Sequence, residues 1–196
     1  MIFPGSTIHA VGKSGRASLD VLYRTRHASE MRSDDLGAIV GLLDLAFDGD
    51  FSDEDWEHAI GGVHVTAHRG PDLVGHGSVV PRRFLHNDRV LRTGYVEAVA
   101  VHPDHRGAGI GFELMEALAD LVDLNYDLGA LSATGSAIAF YEHLGWDRWP
   151  GPTQVVGPDG LLPTPEEDGG VFVRRVDPTI PLDGPLTCDW RTGDVW

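Results

Sequence analysis

The feature that most constrains the fold of this chain is a glycine loop between a strand-like segment and an amphipathic segment. Residues 96–101 are β-prone and apolar apart from Glu97, residues 106–111 read Arg-Gly-Ala-Gly-Ile-Gly, and residues 112–123 have helical periodicity. Alternate glycines let the backbone turn tightly and approach a ligand closely. Amides at the start of the following helix have no helical partner and lie at the positive end of its dipole. The order strand, loop, helix therefore predicts a main-chain site for phosphate.

The spacing of the glycines separates three kinds of phosphate loop. A P-loop requires a lysine after its last glycine, and none follows here. A Rossmann loop requires G-x-G-x-x-G, whereas these glycines alternate. The third pattern is R/Q-x-x-G-x-G/A after a V-x-V strand and a proline. It is matched by Val99-x-Val101-x-Pro103-x-x-Arg106-x-x-Gly109-x-Gly111. On these residues the chain resembles the GNAT superfamily of acetyl-CoA-dependent N-acetyltransferases; the alternative is a glycine-rich turn before an ordinary helix.

The composition restricts the classes of ligand that this protein is expected to bind. The 196 residues suit one domain with a sizeable core. Fifteen basic and 30 acidic residues give a net charge of −15, which argues against nucleic acid and suits either a cationic ligand or simple solubility. Cys188 is the only cysteine, so neither an intrachain disulfide nor a cysteine-based zinc site is expected. No apolar run is long enough for a membrane span, and we expect a cytoplasmic protein without a metal.

Periodicity predicts the order of the elements. Residues 1–18 lack it and are expected to be a flexible extension, leaving residues 19–196 as a single domain. Strands are predicted at residues 19–26, 62–68, 73–84, 90–101, 128–132, 155–156 and 171–173. Helices are predicted from Ser33, from Ser52, at 109–123 and at 135–143, and the first should bury Leu36, Ile39, Val40 and Leu43. Residues 157–170 are predicted to be a loop and residues 177–196 an irregular tail.

The GNAT resemblance implies an α+β fold. Its mixed, mostly antiparallel sheet is splayed at the central strands, and helices cover both faces. The acetyl-CoA cofactor, which leaves as coenzyme A, enters the gap. The resemblance assigns to the cofactor Val99, Ala100, Val101, Arg106, Gly107, Ala108, Gly109, Ile110, Gly111 and Phe112.

A narrower resemblance covers residue 21 to the last residue. The segments that carry it are Phe47-x-Gly49-Asp50-Phe51, Asp55-Trp56-Glu57-His58, Gly94-Tyr95-Val96-Glu97, Leu128-Gly129-Ala130-Leu131-Ser132, Gly145-Trp146-x-x-Trp149 and Cys188-Asp189-Trp190-Arg191-x-Gly193-Asp194-Val195-Trp196. These segments are similar to aminoglycoside 2'-N-acetyltransferases. The implied reaction is direct acetyl transfer from acetyl-CoA to the 2'-amine of an aminoglycoside, which would confer antibiotic resistance or otherwise modify the antibiotic. The resemblance also suggests a homodimer.

Two residues are candidates for proton transfer. A protonated amine must lose a proton before it attacks a thioester, and a carboxylate can take that proton directly or through one water. Glu97 lies on the strand that leads into the loop and is the candidate base; otherwise it is a strand glutamate that faces solvent. Tyr141 occupies a tyrosine position common in GNAT enzymes and is the candidate acid for the departing thiolate. Its alternative is a tyrosine packed on the core.

The resemblance also implies an acidic substrate site. Its members are Asp50, Asp55, Glu97, Ser132, Glu167, Asp194 and the terminal carboxylate of Trp196. Five carboxylates between residues 48 and 55 would suit a polyamine, but Ser52 and Asp55 also match a helix capping box. A frayed tail is the alternative for Trp196. Two rival functions remain: a GNAT enzyme for another amine (a polyamine, another amino sugar or a protein amine), or a non-catalytic module that binds acetyl-CoA or an aminoglycoside.

Overall fold

A computed structural model describes residues 21–133, 135 and 137–196. The extension expected at residues 1–18 lies outside the described residues. Four α-helices are described: α1 (Ser33–Ala46), α2 (Asp53–Ile60), α3 (Ile110–Asn125) and α4 (Ala137–His143). The strands are β1 (Val21–His27), β2 (Val63–Arg69), β3 (Asp72–His86), β4 (Arg89–Val101), β5 (Leu128–Ser132), β6 (Asp147–Arg148), β7 (Thr153–Gly157), β8 (Gly160–Pro163), β9 (Val171–Arg175) and β10 (Leu186–Asp189).

The described chain divides into two compact units. The first contains residues 21–79 and 97–118, and the second contains residues 80–96 and 119–196. Strands β3 and β4 and helix α3 pass from one unit into the other. Two residues with positive φ, Asn87 (47°) and Asp88 (60°), join β3 to β4. This is the backbone of a type I′ hairpin turn, as expected from the polar residues there.

In the first unit, β1 pairs antiparallel with β2, and β2 pairs antiparallel with β3. Helix α3 packs closely on β3 because two glycines leave room for it. A Cβ atom at Gly75 would lie 2.8 Å from Leu114 Cδ1, and one at Gly77 would lie 2.7 Å from Leu118 Cδ1. The start of the helix that follows the glycine loop is therefore held against the sheet.

In the second unit, antiparallel pairs join β5 to β9, β9 to β6, β3 to β10 and β7 to β8, whereas β4–β5 and β10–β7 are parallel. The sheet is thus mixed and mostly antiparallel. The β4–β5 register joins Thr93–Tyr95 to Leu128–Ala130, although β4 continues to Val101. A buried cluster that includes Phe84, Tyr95 and Trp149 fills the core of this unit.

Three expectations from periodicity need correction. Helix α1 buries Ile39, Leu42 and Leu43, while Val40 is exposed, so its buried face is rotated from the one predicted. The tail is not irregular throughout, because β10 lies within it and pairs with β3 and β7. The loop at residues 157–170 contains β8. Both strands are only four residues long, so a pattern along the chain gives little sign of them, and β10 also pairs with strands that are distant in sequence.

Candidate active site

The glycine loop has a backbone that only glycine adopts easily. Gly107 has a φ of +77° and Gly109 a φ of +86°. A Cβ atom at either position would find no heavy atom within 4 Å. The glycines are therefore required by the left-handed conformation and not by crowding within the protein. Residues 106–109 are exposed, so their main chain is open to a ligand.

Helix α3 begins at Ile110, and the Glu113 amide donates to the Gly109 carbonyl at 3.2 Å. The amides of Ile110, Gly111 and Phe112 precede this bond and have no carbonyl one helical turn back. They lie at the positive end of a 16-residue helix. Neutral donors of this kind fit the diphosphate of acetyl-CoA without a basic side chain.

Arg106 anchors the loop. Its Nη2 donates to the carbonyl of Ala46, the last residue of α1, at 2.8 Å, and its Nε donates to the Val101 carbonyl at 3.3 Å. Ala46 is at the carboxyl end of a helix, where a cation is favoured. The guanidinium thus ties the loop to α1 and β4, and the main-chain amides are left as the ligand donors.

The end of β4 departs from regular strand geometry beside Glu97. Ala98 has a φ of +51°, which is unusual for a residue other than glycine. The Glu97 carbonyl accepts from Ser78 Oγ at 3.5 Å, and the Ala98 carbonyl lies 2.9 Å from His76 Nδ1. Glu97 is itself partly exposed, and so are Val99 and Val101, whereas Ala100 is buried. Two β3 side chains therefore hold the backbone of β4 at the residue expected to act as base.

The acidic segment between α1 and α2 forms the predicted capping box. Asp55 donates its amide to Ser52 Oγ at 3.1 Å, and the Asp55 carboxylate accepts the Ser52 amide at 2.9 Å. Phe51 stacks on Phe47 with ring centroids 5.6 Å apart, and it packs on the apolar cluster of the first unit. Asp50 and Asp55 are the two expected substrate ligands in this segment. The Asp55 carboxylate caps α2, whereas the Asp50 side chain is exposed.

In the second unit three of the expected substrate residues lie together. Ser132 Oγ donates to Glu167 Oε2 at 3.1 Å. Burial raises the pKa of the Glu167 carboxyl, and the negative charges of Asp194 and Glu166 raise it further, against the Ser132 hydrogen bond. The Asp194 carboxylate is exposed and accepts the Trp196 amide at 3.3 Å. Residues far apart in sequence thus form one acidic group.

Tyr141 lies on α4 with its ring against Phe140 and Phe172, at centroid distances of 5.3 and 6.1 Å. Burial raises the pKa of its phenol to about 12. The hydroxyl is therefore protonated throughout the physiological range and is able to donate. The same packing also matches the alternative of a tyrosine set into the core.

The last residue of the chain is ordered by several contacts. Trp196 is 3% exposed, its Nε1 donates to Thr164 Oγ1 at 2.9 Å, and its ring meets Phe84 edge-on at 5.2 Å. Arg191 Nη2 donates to the Trp196 main-chain oxygen at 2.9 Å, and Arg191 Nε donates to the Asp194 carbonyl at 2.7 Å. The frayed tail given as the alternative is therefore wrong.

The sequence did not predict that Arg191 and Thr164 contact Trp196. The available signal was a basic residue five positions before an expected free carboxylate. Nothing in the sequence pointed to Thr164, because its contact depends on the β7–β8 hairpin.

Within the described residues, no group of three or more His, Cys, Asp or Glu side chains could hold a metal ion. Over the same part of the chain, the helices are too short or too polar to cross a membrane. Cys188 is a buried free thiol, and burial raises its pKa to about 11, so it has little thiolate at neutral pH.

Comparison with known proteins identifies the family of this chain. A family model described as an acetyltransferase (GNAT) domain matches residues 27–149. The aminoglycoside 2'-N-acetyltransferase of Mycolicibacterium fortuitum is 44% identical over 178 residues, which is 88% of this chain and 91% of that protein. The chain belongs to the aminoglycoside 2'-N-acetyltransferase family of the GNAT superfamily.

Solved structures confirm the GNAT fold of this family member. Escherichia coli YhbS, a GNAT N-acetyltransferase in complex with CoA, has a TM-score of 0.62 at 17% identity and covers 89% of this chain and 93% of its own. Escherichia coli ElaA has a TM-score of 0.57 at 18% identity and covers 79% of this chain and 99% of its own. Identities this low establish the fold alone. As a member of the GNAT acetyltransferases, the chain uses acetyl-CoA as its acyl donor.

Proposed function

We propose that this enzyme transfers the acetyl group of acetyl-CoA to the 2'-amine of aminoglycosides. The observation that carries the proposal is the 44% identity to the Mycolicibacterium fortuitum aminoglycoside 2'-N-acetyltransferase over 91% of that protein. The open glycine loop and the acidic group of the second unit support it, because they suit an anionic cofactor and a polycationic substrate respectively. Acetylation would turn one ammonium of the antibiotic into a neutral amide, and this loss of charge is the basis we propose for resistance.

The cofactor would be held by the main chain. Residues 106–112 supply amides for the diphosphate, and residues 99–101 supply strand groups for the pantetheine arm. When bound, acetyl-CoA supplies an acetyl group activated as a thioester. Arg106 contributes by fixing the loop, since its guanidinium binds the carbonyls of Ala46 and Val101.

Glu97 is the proposed general base. Its carboxylate would take a proton from the 2'-ammonium, directly or through one water, and free the nitrogen lone pair for attack. It is supported by its place at the strained end of β4, one residue before Ala98. Backbone outliers of this kind are strained and persist only where surrounding contacts hold them. They are found most often at active sites.

Tyr141 is the proposed general acid. As the new C–N bond forms and the C–S bond breaks, the sulfur leaves with the electron pair and needs a proton. A phenol with a pKa of about 12 keeps its proton at neutral pH and can donate it, or a hydrogen bond, to the sulfur. The ammonium loses two protons as it becomes an amide: Glu97 takes the first, and the second, lost from nitrogen after the C–N bond has formed, replaces the proton that Tyr141 gives to the sulfur. The products are the amide, the thiol of coenzyme A and the proton held by Glu97, which passes to solvent.

Carboxylates would bind the cationic sugar. In the second unit these are Glu167, Asp194 and the terminal carboxylate of Trp196, with Ser132 as a further polar contact. In the first unit they are Asp50, Asp55 and Glu97. A charge pair ~4 Å apart is worth about 4 kcal/mol at an effective dielectric of 20, before desolvation. Several such pairs would give useful affinity with a marked salt dependence.

We further propose that residues 19–196 act as a single acetyltransferase domain, that the protein is cytoplasmic, and that it is a homodimer. A free cysteine is compatible with a reducing compartment. The apolar side chains of Leu161, Leu162 and Trp190 are exposed, and strand β8 is at an edge of the sheet, which suits association with a second copy. Light scattering on the purified protein would give twice the chain mass, and a monomer would reject the dimer.

A free-thiol assay tests the proposed reaction against its rivals. The purified enzyme is given acetyl-CoA and, in separate reactions, an aminoglycoside with a 2'-amine, a polyamine, or a lysine peptide. We expect thiol release with the aminoglycoside and product mass increased by one acetyl group. Release only with the polyamine or peptide would favour the rival GNAT function, and binding without release would favour the non-catalytic module.

A further inference from the structure

Two buried histidines form a hydrogen-bonded chain that ends beside Glu97. His64 Nδ1 lies 2.9 Å from His76 Nε2, and the second nitrogen of each ring meets a main-chain carbonyl. His76 Nδ1 is 2.9 Å from the Ala98 oxygen, and His64 Nε2 is 3.2 Å from the Ile60 oxygen. Ile60 is the last residue of α2. These hydrogen bonds therefore connect the end of α2, through the two imidazole rings, to Ala98, the residue of β4 with a positive φ.

The two imidazole rings carry too few N–H groups to supply a donor to all three contacts. Each of the three contacts needs one N–H, because carbonyl oxygens only accept, whereas two neutral imidazoles carry one N–H each. A third proton would charge one ring. His64 is 1% exposed and His76 0%, and burial lowers the pKa of both, that of His76 to about 3. The pair is therefore neutral and lacks a proton at one of its contacts.

The distances indicate which contact lacks the proton. The two rings cannot face each other with lone pairs alone at 2.9 Å, so one proton lies between them. The remaining proton serves either Ala98 or Ile60. The contact with Ala98 is shorter, 2.9 Å against 3.2 Å. Both rings then carry their proton on Nδ1, with His64 donating to His76 and His76 donating to the Ala98 carbonyl.

We propose that His76 is a positioning residue for acetyl transfer: its Nδ1–H holds the Ala98 carbonyl and so maintains the left-handed turn beside Glu97, while His64 fixes the required tautomer. The inference rests on the proposed role of Glu97. A left-handed alanine is strained and persists only when surrounding contacts hold it. The His76 bond is such a contact. Without it, β4 would relax toward regular strand geometry and turn the Glu97 carboxylate away from its working position.

Nitrogen-15 NMR of the wild-type protein tests the tautomer directly. We expect the rings of His64 and His76 to be neutral at neutral pH, with the proton on Nδ1 in both. A proton on Nε2 of His76 would leave the Ala98 carbonyl without a donor and would overturn the proposal. This measurement needs no variant and no substrate, so it is independent of the proposed reaction.

A matched pair of substitutions tests the effect on catalysis. In His76→Asn the side-chain amide nitrogen lies near the position of Nδ1 and can still donate to Ala98. In His76→Gln the amide lies near the position of Nε2, so the bond to His64 is kept and the bond to Ala98 is lost. We expect kcat of His76→Gln to be about ten-fold or more below that of His76→Asn, since small misplacements of a reacting group are costly. Equal kcat values would contradict the proposal.

The substitution Ala98→Gly provides the rescue. Glycine adopts a positive φ without a Cβ penalty, so a backbone with Gly at 98 depends less on the His76 bond. Adding Ala98→Gly to His76→Gln should recover several-fold of the lost kcat, whereas a merely structural defect of His76→Gln would remain. An absence of recovery would exclude the positioning role. If the wild-type enzyme fails to acetylate aminoglycosides, the proposed function fails while the tautomer result stands by itself.

Discussion

Tyr141 packs its ring on Phe140 and Phe172, and burial raises the pKa of its phenol to about 12. The resemblance to GNAT enzymes suggested the general-acid role, whereas this packing and the raised pKa required the structure. A capping box needs only local spacing, so Ser52 and Asp55 were predictable. The contact of Trp196 with Thr164 spans 32 residues and was not.

The substitution Tyr141→Phe tests the proposed role of the Tyr141 hydroxyl group. Tyr141→Phe removes only the hydroxyl and should lower kcat by at least about ten-fold, in the range of lost general-acid catalysis. KM for both substrates should change little, because the ring is kept. Tyr126→Phe, at a tyrosine with no assigned role, is the control. Steady-state kinetics with wild-type turnover in Tyr141→Phe would remove the acid role.

Glu167 gives a prediction on pH. Its pKa is raised above the ordinary glutamate value, so on acidification it loses its charge earlier than an ordinary glutamate would. A carboxylate that binds ammonium groups works only when charged. KM for the aminoglycoside should therefore begin to rise, as the pH falls, before the ordinary pKa of 4.5 is reached.

Two variants check this pH profile. Glu167→Gln should raise KM at neutral pH and abolish the acid rise. Glu166→Gln, beside it, should keep the neutral KM and move the rise to lower pH, because the Glu166 charge helps to raise the Glu167 pKa. A KM profile that is the same in all three proteins would exclude Glu167 from substrate binding.

At the scale of elements, the glycine loop was the most informative stretch of sequence. Its glycines mark positions of positive φ, and the structure has them at Gly107 and Gly109. Helix α3 was predicted nearly to the residue because its helical periodicity is strong, and β5 was predicted with the bounds that it has, although its five residues do not alternate. Strands β6, β8 and β10 were missed, since strands of two to four residues are too short to show a periodic pattern.

Gly109→Ala tests the loop. Alanine at a φ of +86° is strained, so the loop should shift and its amides should leave the diphosphate position. KM for acetyl-CoA should rise several-fold, while KM for the aminoglycoside should be spared. The matched control is Gly37→Ala in α1, where a Cβ atom meets nothing within 4 Å and alanine favours the helix. Unchanged acetyl-CoA kinetics in Gly109→Ala would contradict a main-chain phosphate site.

The carboxyl end of the chain gives a second test of an element. Adding a few residues after Trp196 keeps its indole but moves the terminal carboxylate. KM for aminoglycosides should rise, and KM for acetyl-CoA should not. Deleting Trp196 should do the same but also destabilise the fold by about 3–5 kcal/mol, because a nearly fully buried indole is lost. A wild-type KM for aminoglycosides in the extended protein would exclude the carboxylate as a substrate ligand.

At the scale of the whole molecule, the net charge of the protein is opposite to that of the proposed acetyl acceptor. A net charge of −15 attracts a substrate with several ammonium groups, and it disfavours nucleic acid. Such attraction is general and would serve many polyamines equally. Regiochemistry is different, because it requires the 2'-nitrogen to meet the base and the acyl donor together. The choice of the 2'-amine is therefore the claim on which the account depends most.

The most direct measurement compares two aminoglycosides that differ only at the 2' position. Kanamycin B carries an amine there, and kanamycin A carries a hydroxyl group. Thiol release from acetyl-CoA is measured with each, and the product is located by NMR. The account predicts turnover of kanamycin B with the acetyl group on the 2'-nitrogen and background release with kanamycin A. Comparable turnover of both, or acetylation at another amine, would contradict it.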